Sequence, residues 1–310
     1  MKVYYGLENL KKFQKPVITT GTFDGVHNGH QKILSNLTHI AKTINGESVV
    51  ITFNPHPRLV LFPENNNLKL LNAIDEKVAR MESLGINHLV IHKFTKEFSR
   101  LTALEYIRDI LVNQLGLNTL VIGYDHHFGR NREGSFEELT EFSKLYDFKI
   151  EQISALDIEN VNVSSTKIRK ALAEGDVEKA NNYLGYHYPI SGKVVKGDGI
   201  GKTISFPTAN ILVDDPNKLI PAKGVYACRV LFEGKTFNGM INIGVRPTIN
   251  NLNKEKIELH IFNFSADIYN QSLKIELVKK LRNEQKFNSL EDLKQQLKLD
   301  KENATVALIA

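Results

Sequence analysis

The sequence predicts an α/β chain in two successive parts: a parallel sheet flanked by helices, then a small antiparallel barrel or sandwich closed by a helix. Three observations carry this. Up to residue 184, short β-branched runs alternate with segments of helical period, the pattern of a parallel sheet covered by helices. From Tyr188 onward, short runs rich in β-branched and aromatic residues follow one another with glycine-bearing turns between them. At 310 residues the chain exceeds the size at which a single core stops growing, so two domains are expected, 1–184 and 185–310.

In the first part, Pro16 to Phe23 is an apolar run ending in a Gly/Asp turn. Gly29 to Lys42 then places Ile33, Leu34, Leu37, Ile40 and Ala41 at helical spacing. Ser48 to Phe53 reads as a buried strand, Asp75 to Leu84 as a helix, and His88 to His92 as a strand. A helix over Leu104 to Leu115, a strand over Thr119 to Gly123, and helices over Ser165 to Ala173 and Val177 to Leu184 complete it. In the second part, strands are expected over Ile190–Val195, Gly224–Phe232, Thr236–Ile243, Ile257–Phe262 and Leu273–Val278, with an amphipathic helix over Leu290–Leu299.

Composition excludes several classes. Hydrophobic residues at 42% and charged residues at 24% are those of a globular protein, not a disordered or fibrous one. Cys228 is the sole cysteine, so no internal disulfide can form and a reducing, cytoplasmic setting is expected. Met1 to Leu10 lacks the basic-then-apolar order of a signal peptide, and no window is apolar enough to span a bilayer; no membrane partner is expected. The net charge of +5 comes from scattered lysines. The lysine-rich stretch Lys274 to Lys298 also carries Glu276, Glu284, Glu291 and Asp292, a solvated face and not a nucleic-acid surface. Phosphate-bearing small molecules are the expected partners.

Gly21-Thr22-Phe23-Asp24-Gly25-Val26-His27-Asn28-Gly29-His30 lies between the first buried strand and the first helix, where α/β proteins hold phosphates against a helix N-terminus. Glycine permits tight turns and close backbone approach, and His27 and His30, three apart, share a side of the helix start. Two imidazole donors suit attack on an α-phosphate, which needs charge stabilisation more than covalent help. The alternative is a glycine-rich connection with two exposed histidines. Further on, Ser164 and Ser165 open a helix with hydroxyls that can cap amides or surround an anion, and Arg169 follows; alone, these fit an ordinary cap with a solvated arginine better. Asn54-Pro55-His56-Pro57 and Gly123 to Gly129, the latter containing Asp125, sit at later strand ends.

In the second part, Gly192 to Lys202 leads from a strand into a loop bearing Gly197, Gly199 and Gly201, able to wrap phosphate as a flap. Phe206-Pro207-Thr208-Ala209-Asn210 puts a hydroxyl and an amide carbonyl two residues apart. They can share one magnesium ion or its waters, or mark a proline turn into a strand. Glu258 projects opposite Ile257, Leu259 and Ile261, as a proton acceptor or as a solvated carboxylate.

Taken in order, these motifs, with Arg132 after the Gly123 loop, resemble the bifunctional bacterial riboflavin kinase/FMN adenylyltransferases, also called FAD synthetases, over nearly the whole chain. The resemblance implies a Rossmann-like nucleotidyltransferase domain followed by a six-stranded antiparallel barrel. It implies ATP held by the Gly21, Phe23, Asp24 and Gly25 turn, by His27 and His30, and by Ser164, Ser165 and Arg169, with Asn54 and Asp125 beside FMN. In the barrel it implies a second ATP under the Gly197 and Gly201 flap, magnesium on Thr208 and Asn210, Glu258 as base, and Arg282, from the Leu281 to Phe287 segment, beside the flavin. Riboflavin, FMN, FAD and ATP are the implied partners and magnesium the implied cofactor.

The chain departs from the family pattern at Ser205 and Asn270, where glycine is frequent, and at His126 and His127, a pair that could alternatively bind a metal. The rival reading is an adenylyltransferase of another phosphate-bearing substrate with a merely binding second domain. The intact Thr208, Asn210 and Glu258 set argues against it.

Overall fold

The computed structural model describes residues 1–8, 10–64, 67–123, 129–130, 134–153, 163–197, 206–246 and 254–309. By packing, the chain forms two units, residues 1–69 with 74–163 and residues 70–73 with 164–310.

The first unit is a sheet of six strands ordered β1-β4-β3-β2-β5-β6, every pairing parallel. The strands are β1 (Lys2–Tyr5), β2 (Val17–Thr20), β3 (Ser48–Phe53), β4 (His88–His92), β5 (Thr119–Gly123) and β6 (Lys149–Ile153). Central strands β2 and β5 are buried at every position, as covered parallel strands must be. Val17, Val50, Leu89 and Val121 pack with Leu34, Leu37 and Ala41 of α1 (Asn28–Thr43). Their neighbours Ile18, Val49, Val90 and Leu120 fall in a second apolar cluster with Ile107, Leu111 and Leu115. The period-2 alternation of a strand thus feeds two helical layers.

The second cluster's helix begins with an α turn, α4 (Ala103–Glu105), locked by a capping box between Thr102 and Glu105, and continues as π-helix over Tyr106–Gln114. Elements beyond the expected set are β1, β6, α2 (Pro57–Leu61) and α5 (Phe136–Tyr146). α3 (Ile74–Ser83) falls where expected.

Strand order positions the site. From β2 the chain builds β3 and β4 on one side, then recrosses to place β5 and β6 on the other. The C-terminal end of β2 is therefore the switch point at which open α/β sheets leave a crevice, and it is there that the Gly21 to His30 turn begins.

The second unit contains α6 (Ser165–Glu174), α7 (Val177–Leu184) and a closed six-stranded barrel ordered β10-β11-β8-β7-β12-β9. Its strands are β7 (Tyr188–Val195), β8 (Ala209–Leu212), β9 (Gly224–Phe232), β10 (Lys235–Arg246), β11 (Lys254–Ile261) and β12 (Ser272–Arg282). Every pairing is antiparallel, and closure leaves no sheet edge. Asn181 of α7 donates to the Leu277 carbonyl at 2.9 Å and accepts the Tyr188 N–H at 2.8 Å, fastening α7 to the barrel.

α8 (Leu290–Ile309) runs ten residues beyond the expected Leu299. The polar run after Leu299 disguises this continuation. Asp300 is 1% exposed because Arg282 of β12 grips it through Nε at 2.8 Å and a second nitrogen at 2.7 Å, so a carboxylate occupies the buried face. Ala304 and Leu308 pack beyond it on Phe206, Met240 and Phe262. Residues 70–73 add a short bridge: Leu70 N–H donates to the Asn217 carbonyl at 2.7 Å, and Leu219 N–H to the Leu70 carbonyl at 2.8 Å. Buried Lys218 donates to the Leu71 carbonyl at 2.7 Å.

Candidate active sites

In the first unit, Gly21 N–H pairs with the Ile51 carbonyl at 3.0 Å, and the chain then turns through Phe23 at φ 45°, Gly25 at φ 87° and Val26 at φ 36°. A positive φ at β-branched Val26 stores strain of about 1–3 kcal/mol, and such strain persists only where the surroundings over-determine it. The turn delivers His27 as the N-cap of α1, with the His30 N–H donating to its Nδ1 at 3.4 Å. A neutral His27 ring accepting at Nδ1 carries its proton on Nε2.

The His27 and His30 rings stack 3.7 Å apart at 15°. Burial, helped by His27 and Lys77, pushes His30 well below the ordinary histidine value, so its ring is neutral near pH 7. Its Nδ1 is shut off from solvent and has no partner among the described residues. Phe23 meets His30 edge-on at 5.3 Å, and Asp24 is 3% exposed. The structure thus assembles Gly21, Phe23, Asp24, Gly25, His27 and His30 in one turn at the switch point.

Asn54 follows β3, exposed, its N–H on the His92 carbonyl at 3.0 Å and its bond to Pro55 cis. Asp125, Arg132, His126 and His127 lie outside the described residues. Ser164, Ser165 and Arg169 belong to the second unit by packing; Ser164 caps α6, its Oγ accepting the Lys167 N–H at 3.3 Å. Sequence reading passed over Lys77 of α3, which is 6% exposed and donates to the Thr22 carbonyl at 2.7 Å. A lysine on an amphipathic helix reads as solvated.

The barrel carries two cavities that share Thr208 in their walls. One, of about 450 Å³, is lined by Val194, Pro207, Ala209, Phe264 and Tyr269. The other, of about 300 Å³, lies among Asn242, Glu258, His260 and Arg282 on the strands, Phe287 after them, and Leu293 of α8. Glu258 stands directly opposite Asn210 on β8 and Asn242 on β10, so all three share a face of the sheet. Its Oε1 takes an ion pair from Lys256 at 3.0 Å.

A Cβ on Gly197 would lie 1.8 Å from the Asn210 amide nitrogen, so only glycine leaves room for that side chain where it now rests. Gly201 and Ser205 lie outside the described residues. Asn270 adopts φ 64°, the conformation glycine takes freely.

Arg282 lines the second cavity, with Nε and one terminal nitrogen on Asp300, the other on the Asn283 carbonyl, and its guanidinium 5.7 Å from the Phe287 ring. His260 was not singled out in the sequence, though it sits two residues beyond Glu258 on the same strand face. Its Nδ1 meets the Pro207 carbonyl at 2.8 Å and so carries the proton, tying β11 to the residue before Thr208.

A switch-point turn with paired imidazole donors, and a barrel that sets a carboxylate opposite an amide beside a cavity whose wall also holds the Thr208 hydroxyl, define a nucleotide-using transferase with two separate centres. A FAD synthetase family model matches residues 10–167 and a riboflavin kinase model residues 184–308. The bifunctional riboflavin kinase/FMN adenylyltransferase of Haemophilus influenzae is 40% identical over 306 residues, covering 98% of each chain. That of Escherichia coli K12 is 37% identical over 303 residues, covering 97% of this chain and 96% of its own.

The chain belongs to the bifunctional riboflavin kinase/FMN adenylyltransferase family. A crystal structure of a Streptococcus pneumoniae protein described as a macrolide-efflux protein has the same fold, with TM-score 0.87, 28% identity and 98% coverage of both chains. No described helix here is long and apolar enough to cross a membrane.

Proposed function

We propose the following division of labour within the two reactions of the family. The enzyme phosphorylates riboflavin with ATP to FMN in its barrel, then adenylylates FMN with a second ATP to FAD and pyrophosphate in its N-terminal part. Residues 1–184 serve adenylylation and 185–310 the kinase reaction, with α6 and its N-cap contributing Ser164, Ser165 and Arg169 to the first reaction. The observation that carries the kinase assignment is the register that sets Glu258 opposite Asn210, with Thr208 between the two cavities.

In the kinase centre, ATP takes the cavity beside Val194 and Tyr269, and riboflavin the one beside Phe287 and Leu293. Glu258 accepts the proton of the ribityl 5′-hydroxyl as that oxygen attacks the γ-phosphorus, and ADP leaves. Magnesium fits the donor set: Thr208 and Asn210 offer only neutral oxygens, which suits a hard ion drawing its other ligands from phosphates and water. When bound it neutralises charge on the β- and γ-phosphates. His260 holds the Thr208 turn against β11, and the Gly197 and Gly201 flap covers the phosphates.

In the adenylylation centre, a phosphate oxygen of FMN attacks the α-phosphorus of ATP and pyrophosphate departs. The N–H groups of His27 and His30 donate to oxygens that gain charge in that step. The Gly21 to Gly25 turn presents backbone amides. Ser164, Ser165 and Arg169 hold the phosphate tail, and Asn54 and Asp125 position FMN. The buried single thiol of Cys228 suits a cytoplasmic setting.

The test is a time course of purified protein with riboflavin, ATP and magnesium, separating riboflavin, FMN and FAD by chromatography. FMN appearing before FAD supports both assignments. FMN accumulating without FAD removes the adenylylation assignment, and FAD made only from added FMN removes the kinase assignment.

A further inference from the structure

Lys77 is a buried cation of the first unit that none of the roles above uses. Its ammonium donates to the Thr22 carbonyl at 2.7 Å and lies 3.4 Å from the Thr52 hydroxyl, which in turn donates to the same Thr22 carbonyl at 3.2 Å. Three elements therefore meet at one nitrogen: α3, the turn after β2, and the end of β3. Thr22 immediately precedes Phe23, the first residue of that turn held at positive φ, and Thr52 lies two residues ahead of Asn54.

A neutral side chain would tie a carbonyl to a hydroxyl without burying a charge, which is costly where it is not compensated. The compensation here comes from Asp24 in the turn, the charge that favours protonated Lys77. On the α1 side the facing titratable group is His30, whose protonation Lys77 opposes.

We propose that Lys77 is a positioning residue for FMN adenylylation: its ammonium clamps the strained turn carrying Asp24, His27 and His30 to the strand end carrying Asn54. The clamp holds the histidine donors and the FMN-side strand end in mutual register, and its charge adds to the burial that keeps His30 from becoming a second cation. Burial brings the lysine down to about 8, against the pull of Asp24, so its charge is lost just above neutral pH.

The inference rests on the adenylylation reading. The experiment uses the full chain and measures FAD formation from FMN and ATP alongside riboflavin phosphorylation in the same preparation, for wild type, Lys77→Met and Lys77→Arg, between pH 6.5 and 9.5. The Met variant is expected to lose about 10²-fold in kcat for FAD formation, the cost of misplacing reacting groups by an ångström, with both KM values within about threefold and the kinase unchanged. The wild-type alkaline limb is expected near pH 8, and the Arg variant, which keeps its charge, is expected to move that limb upward whatever its amplitude. A merely structural lysine does not move the limb.

A Met variant with wild-type kcat overturns the proposal. If that variant does not fold, the other two proteins decide: no wild-type limb, or the same limb in the Arg variant, overturns it. Wild type making no FAD at all sinks the adenylylation reading instead, a distinct result.

Discussion

The imidazoles of His27 and His30 lie face to face, 3.7 Å between centroids. Two protonated rings would repel at that distance, and burial holds His30 well below the ordinary histidine value, so the stack is not a pair of cations. Replacing either histidine by alanine is expected to lower FAD formation by about 10²–10³-fold, the worth of one preorganised donor to a developing oxyanion. Riboflavin phosphorylation by the same preparation should be unchanged. Equal loss of both activities would point to unfolding.

The first unit should be sensitive to acid. Burial lowers both His30 and His92 below the ordinary value of 6.5. Below that value the unfolded chain binds protons that the folded chain refuses, so stability is full above about pH 6.5 and falls as pH drops toward the folded values. His92 Nδ1 is buried without a partner among the described residues, and its ring rests 4.5 Å from Phe98, so His92→Phe keeps a ring there and removes one proton acceptor. Urea midpoints at pH 7.5 and pH 5 are expected to differ less in this variant than in wild type.

Glu258→Gln keeps the shape of the side chain and removes the base. Loss of FMN formation by about 10²–10⁴-fold is expected, the range for a positioned general base. FAD formation from supplied FMN should persist at the wild-type rate.

Asp300 and Arg282 form a pair in which the carboxylate is 1% exposed and the guanidinium 18%. Breaking it by Asp300→Asn should destabilise the second unit by about 3 kcal/mol, the low end for a buried pair because Arg282 keeps some contact with water. The joint change Arg282→Met with Asp300→Leu should cost less than Asp300→Asn alone. Thermal unfolding of the three proteins measures the difference.

Much of this fold is legible in the residues because burial and period agree. β2, β3, β4 and β5 are near-continuous apolar runs, and α1 carries its core stripe at helical spacing. β6 is harder to read, since Lys149, Glu151 and Gln152 are exposed and only Ile153 is fully buried. α5 carries a signal that went unread, the capping box of Ser135 and Glu138. The turn histidines are legible because their spacing alone places them together. Lys77 and Asp300 are not: each is a charged residue whose burial depends on a partner far away in sequence, which no local pattern announces.

The bridge from Leu70 to Lys218 sets how the two activities could be parted. Residues 70–73 complete the second unit although most of the first unit's chain follows them. A single cut after residue 163 or residue 184 therefore leaves the barrel fragment without its own Leu70 to Ala73 strip, and Lys218 without the Leu71 carbonyl. Separating the kinase cleanly takes a rearranged gene in which that strip is grafted back, and a ribosome making the natural chain releases the strip well before the barrel that receives it.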